Sequence, residues 1–390
     1  MKDPARFYPE GAVAISGFRP CIFIFTRGFL SLHQKKDNTL MATLIQQPAT
    51  LCFSSVMDDI VFTTEQDNGE LELVLIHGND RMTVLEETLY PDLDGKITIG
   101  DLSSLLEPYA KQYMELTMQC TLTDTAGTAS IQPVTVLYAM ADVDIAASTF
   151  VSQHFLTILD GEKLTAIGRE ERLYAFSATQ VTVTAEVRVS GVFSTITQTM
   201  NAGSTSGSIS QFDVSPSAIA DLVGVEGDEL LAYRVEAGYR RQDFRCIEDP
   251  VPPAPSLLFT NSFGCQEFLH CSGTHQKTSK YDRKTARISG RLRNYKVTED
   301  RLFKANTGWL NEAMADWADD LFRSEEVYLW VNGVRGREVI VSESKSEISN
   351  EDDDMPAFEF TYSYSQRIHN VMQPTHAGRI FDNTFDHTFN

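Results

Sequence analysis

The chain has 390 residues, a net charge of −21 and a pI near 4.7. That length predicts roughly two to four domains, and the acidic balance argues against general nucleic-acid binding, which needs cations to neutralise phosphate, and against docking on an anionic membrane surface. No apolar run reaches spanning length, and Cys21, Cys52, Cys120, Cys246, Cys265 and Cys271 are too scattered for a disulfide framework, so reduced and mostly buried thiols are expected.

Residues 1–40 show no clean period. Cys21 to Phe25 is apolar, but Arg19, Pro20 and Arg27 interrupt any signal-peptide core. Patterned sequence begins at Met41, which is expected to be the native start, with 1–40 a non-native or flexible extension. No signal peptide is visible from Met1 or from Met41.

From Leu44 to Tyr138 the pattern is β, with strands expected at Leu71–Ile76, Met82–Tyr90, Met114–Leu122 and Ser130–Tyr138. A turn at Asp94-Gly95, a short strand Ile97–Ile99 and a helix capped by Asp101 interrupt them, with Leu102, Leu105, Leu106 and Tyr109 on one helical face. A second unit repeats that order. Gln180–Ser190 and Val192–Met200 form a hairpin around Gly191, then follow a small polar turn, a strand Ile209–Val214, a helix capped by Ser215 with Pro216 at its first position, and a strand Leu230–Tyr239. The shared order predicts an internal duplication of one β-sandwich module, over 41–148 and 149–249.

Residues 250–256 are proline-rich and read as a stiff linker. The third domain, 257–372, is expected to be α+β, built around a long helix over Asn306–Arg323 with Asn306 or Thr307 as its cap. Trp309, Leu310, Ala313, Met314, Trp317, Leu321 and Phe322 recur at helical spacing and are expected to be core; Glu312, Asp316, Asp319 and Asp320 are left mostly for solvent. A hairpin follows around Asn332-Gly333, and Phe358, Phe360, Tyr362 and Tyr364 stand at period two, an aromatic stripe for the helix to lie on. The fold class is thus mainly β, two tandem sandwich-like domains and a smaller α+β domain, ending in a tail over 373–390.

Candidate sites are few. Asp92, Asp94 and Asp101 with Gly95 match the later part of a calcium loop, but the first ligand position would be Tyr90; the plainer reading is a turn followed by a helix cap. Cys265, His270, Cys271 and His275 cluster without a CxxC pair, and a strand there sends His270 and Cys271 to opposite faces, so no zinc is expected. Glu351–Asp354 reads as a solvated turn. Lys277, Lys280, Arg283, Lys284, Arg287, Arg291, Arg293 and Lys296 form a basic stretch interleaved with Tyr281 and Tyr295, expected to be a solvated strand face or a surface for an acidic partner or another copy. In the tail, Phe381, Phe385 and Phe389 stand four apart, as anchors for a neighbour or for the chain's own surface. No nucleophile, phosphate-loop, zinc-protease or dinucleotide motif is present, so no catalytic residue, cofactor or metal is expected.

Phe259–Gly273 (FTNSFGCQEFLHCSG), Arg291–Val297 (RLRNYKV), Asn306–Leu329 and Gly378–Phe389 resemble an uncharacterised protein family of gut Bacteroidota and their prophage-like regions, over Met41–Asn390. Asn261–Gly264, the tryptophan-bearing helix and Ser324–Tyr328 are also loosely similar to phage tail proteins. The resemblance implies a non-enzymatic structural protein of a phage or prophage tail or baseplate, located in the virion or in the bacterial cytoplasm before assembly. Its partners would be other copies or neighbouring structural proteins. The alternative is a cell-surface carbohydrate-binding or adhesive protein, for which a glycan would be the ligand.

Overall fold

The computed structural model describes residues 41–140, 143, 145–248, 254–345 and 355–365. The expected N-terminal extension, the proline run 250–253, the acidic run 351–354 and the tail with Phe381, Phe385 and Phe389 lie outside the described residues. What is described is mainly β, in several sheets.

The first part comprises β1 (Thr43–Gln46), β2 (Leu51–Phe53), β3 (Ile60–Thr63), β4 (Gly69–His77), β5 (Asp80–Leu89), β6 (Lys96–Ile99), α1 (Leu102–Tyr113), β7 (Glu115–Thr123), β8 (Thr128–Ser130) and β9 (Val134–Leu137). A three-stranded sheet, β1-β3-β6, and a larger sheet, β2-β9-β7-β4-β5, enclose one core. Alternation makes them do so: in β7, Leu116, Met118, Cys120 and Leu122 all point inward and are buried. α1 adds Leu102, Leu106 and Ala110 to that core.

The second part comprises α2 (Ala147–Gln153), β10 (Glu162–Thr165), β11 (Arg172–Phe176), β12 (Gln180–Val189), β13 (Val192–Asn201), β14 (Ser204–Ser206), β15 (Ile209–Asp213), α3 (Pro216–Val223), β16 (Leu230–Ala237) and β17 (Arg240–Cys246). Its sheets are β10-β17-β16-β12-β13 and β11-β15-β14. The larger sheet has the strand order of its counterpart in the first part, element for element. Both hold one parallel pair at the same end, β2 with β9 and β10 with β17. In both, the helix bridges from the small sheet to the large one, α1 from β6 to β7 and α3 from β15 to β16.

Two expected caps are corrected. Asp101 precedes α1 with a left-handed backbone, φ 55°, and makes no side-chain bond to the helix backbone; its Oδ1 accepts from Ser104 Oγ at 2.7 Å instead. Ser215 precedes α3 but its hydroxyl donates to Asp213 Oδ1 at 2.6 Å and accepts from Glu171 N at 3.0 Å, so it stitches β15 to the residue before β11 rather than capping.

The third part comprises β18 (Ser256–Thr260), β19 (Gln266–His270), β20 (His275–Ile288), β21 (Arg291–Asn306), α4 (Glu312–Arg323), β22 (Val327–Val331), β23 (Val334–Lys345) and β24 (Glu359–Tyr364), with one sheet ordered β19-β18-β22-β23-β24-β21-β20. α4 lies on one face of this sheet. Trp317, Leu321, Phe259, Phe358, Phe360 and Tyr362 share its core.

The helix is shorter than its periodicity suggests. It begins at Glu312, where Asn311 accepts from Met314 N at 2.8 Å; Asn306 and Thr307 are not its caps. Residues 307–310 are held elsewhere: Thr307 N donates to Phe358 O and Leu310 N to Pro356 O, while Gly308 sits at φ 78°. Trp309 therefore falls before the helix and is 74% exposed, against the expectation that it is core, whereas Trp317 is fully buried. Asp320 is corrected in the other direction: it is buried, its carboxylate accepting from the backbone N of Ser262 at 3.0 and 3.1 Å and from the Ser262 hydroxyl.

The three parts are packed directly on one another. Phe53 from the first, Phe150 from α2 and Phe263 from the β18–β19 turn meet with ring centres 5.1–5.7 Å apart, inside a cluster that also holds Leu137, Leu156 and Cys265.

Candidate functional site

The hairpin β20–β21 is a long, largely exposed feature. Its turn, Ser289-Gly290, takes φ of 52° and 77°, the left-handed pair that matches strand twist in a two-residue hairpin. Among the described residues β20 pairs only with β21, and β21 pairs with β24 only over Phe303–Asn306. Beyond Phe303 the two strands leave the sheet as a ribbon with no further partner strand among the described residues. Residues 291–302 of β21 alone span about 40 Å at roughly 3.4 Å per residue. Nearly every side chain along the ribbon is solvated.

Alternation sorts the ribbon into two faces. Lys280, Lys284, Arg291, Arg293 and Lys296 share one, with the acids Asp282 and Asp300 among them. Lys284 stands directly opposite Lys296, a like-charge pair that disfavours the isolated ribbon. The other face carries Tyr281, Arg283, Arg287, Leu292 and Val297, and the Arg283 guanidinium lies 5.1 Å from the centre of the Tyr281 ring. Leu292 is 71% exposed, and Tyr281, Tyr295 and Val297 are also exposed. Lys284, Arg291 and Arg293 thus share one face toward the tip, while Arg283 lies on the other. The sequence showed the charges; it did not show that the strands bearing them leave the sheet.

A buried polar network ties the third part to the second. Lys163 of β10 donates to Glu171 Oε2 at 2.7 Å and to Phe268 O at 3.0 Å, with its ammonium over the Trp317 ring. Trp317 Nε1 donates to Glu267, and Asn261 Nδ2 donates to Glu267 and to Leu156 O. Asn261 Oδ1 in turn accepts from the backbone of Phe263 and Cys265, both at 2.9 Å, and so shapes the Asn261–Cys265 turn. Burial raises the pKa of Glu171 and Glu267, with Lys163 opposing it in both. The motif that carried the family resemblance is therefore a structural clamp between α4, β19 and the second part.

The remaining sequence candidates separate. Asp92 Oδ1 accepts from the backbone N of Asp94 and Lys96, each at 2.9 Å, and Asp101 is taken by Ser104, so both carboxylates serve turn geometry. Among the described residues no three His, Cys, Asp or Glu side chains stand together as a metal site. Cys265 and Cys271 are buried thiols. His270 contacts Ser256 Oγ and Glu170 O, and His275 contacts the Tyr362 hydroxyl, so the four residues diverge. A cavity of about 400 Å³ lies at the seam of the first and third parts, lined by Lys111, Met114, Tyr138, Ser262, Asp320 and Arg323, with the Lys111–Glu325 ion pair beside it.

No protein-family model and no curated protein matches the chain. Among solved structures, 68% of the chain aligns with 69% of a tetra-tandem repeat from the extending region of a large adhesion protein, at 12% identity and a TM-score of 0.24. An alignment of 68% of the chain with 73% of the insect immune protein hemolin has 12% identity and a TM-score of 0.17. The pullulanase SAP of Group B Streptococcus aligns over 58% of the chain and 26% of its own length, at 14% identity and a TM-score of 0.17. Among the described residues no helix is long and apolar enough to cross a membrane.

Proposed function

We propose that the chain is a non-enzymatic assembly protein of a phage-like particle, a tail or baseplate component that docks through the β20–β21 arm. The carrying observation is the arm itself. A two-stranded ribbon solvated on both faces has little of its own to hold it, and this one carries aromatic, apolar and basic side chains in a chain of net charge −21. Such a surface fits an acidic face on a neighbouring protein or another copy. The residence implied is the virion, or the bacterial cytoplasm before assembly.

The same reading takes residues 41–148 and 149–249 as two copies of one β-sandwich module and 257–372 as an α+β domain that presents the arm. The shared strand order and the shared helix position support the duplication.

The test is an arm deletion. Replacing residues 281–299 with an Asn-Gly turn keeps Lys280 and Asp300, which are paired, and removes the ribbon. Mass by light scattering, alone and with the products of neighbouring genes, should show complexes for the full chain that the shortened chain does not form. If the shortened chain associates as the full one does, the arm is not the docking element. A chain monomeric with every neighbour and retained by a glycan would favour the adhesive alternative.

A further inference from the structure

A second surface, far simpler in chemistry, lies on β13. This strand ends the five-stranded sheet, so its outer edge has no partner strand among the described residues. The Ser190-Gly191 turn, with φ of 51° and 81°, makes Val189 and Val192 the hydrogen-bonded closing pair. Antiparallel alternation then turns the N–H and C=O groups of Phe193, Thr195, Thr197 and Thr199 away from β12 and toward the free edge.

Edge strands are ordinarily protected by charge, proline or a bulge. The other long free edges use these devices. β5, which holds the equivalent place in the first part, carries Asp80, Arg81, Glu86 and Glu87, and its pairing with β4 is bulged. The free edges of the β20–β21 arm carry lysines and arginines and a bulge. β13 reads Val-Phe-Ser-Thr-Ile-Thr-Gln-Thr-Met-Asn, with no charge and no proline, and its register with β12 runs without a shift. Its open-edge residues are exposed.

We infer that β13 pairs antiparallel with β13 of a second copy, joining two five-stranded sheets into one across a two-fold axis at Thr197. The occupant follows from charge and from symmetry. Copies of a chain at −21 repel one another, so they meet best where neither brings an acid, and β13 brings none. Pairing with an arm edge or with β5 would bring unpaired charges to the seam. An antiparallel strand on its own copy is self-complementary. Centred on Thr197, it sets open-edge residues opposite open-edge residues, with Thr195 facing Thr199, a threonine pair of the kind that stabilises sheets. It also extends the cover over Ile196 and Met200, which are only half-buried at the rim of the core. This contact does not use the arm.

The experiment is sedimentation equilibrium of the full chain over a concentration series, with three variants. The unaltered chain should dimerise. Thr195→Lys with Thr199→Lys puts lysine opposite lysine twice at the seam while leaving the core side of β13 untouched; it should keep the circular dichroism of the parent and weaken dimerisation at least about tenfold. Thr197→Cys should form a covalent dimer on oxidation. The arm deletion should leave this dimer in place. A monomeric parent chain, or a folded lysine variant that dimerises like the parent, overturns the inference. If the lysine variant does not fold, failure of Thr197→Cys to cross-link overturns it. Loss of the dimer on arm deletion, with none on lysine substitution, would assign self-association to the arm and remove it from β13.

Discussion

Lys163 holds its ammonium 4.2 Å from the centre of the Trp317 ring, so a charge from β10 and an aromatic from α4 meet inside the seam between the second and third parts. Glu171 neutralises the charge at 2.7 Å, and both side chains of the ion pair are almost wholly buried. The relationship makes Trp317 a core residue and a hydrogen-bond donor together, since its Nε1 also serves Glu267. Several expected outcomes stem from this seam.

Trp317→Ala should cost about 3–5 kcal/mol, the range for truncating a large buried aromatic, and should unfold the third part first. Trp309→Ala, at a residue 74% exposed and outside the helix, should change stability by less than about 0.5 kcal/mol. Urea unfolding followed by fluorescence separates the two. Equal losses would contradict the placement of Trp309.

Lys163→Met leaves the buried Glu171 without its ion-pair partner at 2.7 Å, with the weaker influence of Arg169 remaining, and should destabilise by about 3–5 kcal/mol. Adding Glu171→Leu should recover most of that loss, because two apolar side chains need no partner in the same space. A double variant no better than the single one would show that the pair's hydrogen bonds to Phe268 O and its neighbours matter more than charge balance.

His270 should give an acid limb to the stability curve. Burial pushes its pKa down to about 3, with Arg169 adding to the effect, so the folded protein keeps it neutral. The unfolded chain takes up the proton near the ordinary value of 6.5. Between those pH values the unfolded state binds more protons, so stability falls as pH drops, by up to about 1.4 kcal/mol per pH unit. Glu171 and Glu267 act in the opposite sense, since a raised carboxyl pKa favours the folded state on protonation. The measurement is therefore the difference between the parent and His270→Gln. The parent should lose stability relative to the variant from pH 6.5 downward. Parallel curves would show that His270 does not titrate as its burial demands.

Cys52, Cys120 and Cys271 have thiol pKa values raised to about 12 by burial. Alkylation at neutral pH should leave all three unmodified in the native protein and label them in urea, because the thiolate is the reactive form. Rapid native labelling of Cys271 would show that the core under α4 opens.

Local chemistry determined much of this protein before any long-range contact. Period-two alternation set out the strands, and the turn pairs Ser190-Gly191 and Asn332-Gly333 set two hairpins, because their backbones reach the left-handed region that twisted ribbons need. Trp317, Met314 and Leu321 were legible as core from helical spacing. The tertiary structure decided the rest. Trp309 keeps the helical spacing but not the helix, since the backbone of Thr307 and Leu310 bonds to Phe358 and Pro356. Asp320 reads as a solvent acid until Ser262 supplies its donors, as Trp317 and Asn261 do for the buried Glu267, and burial of a carboxylate depends on such donors rather than on its neighbours in sequence. The arm is the sharpest case. Its strands alternate like any half-buried strand, but whether a strand lies in a sheet or leaves it is set by how far its neighbour reaches. Here β24 stops pairing at Phe303, and residues 291–302 of β21 continue without it.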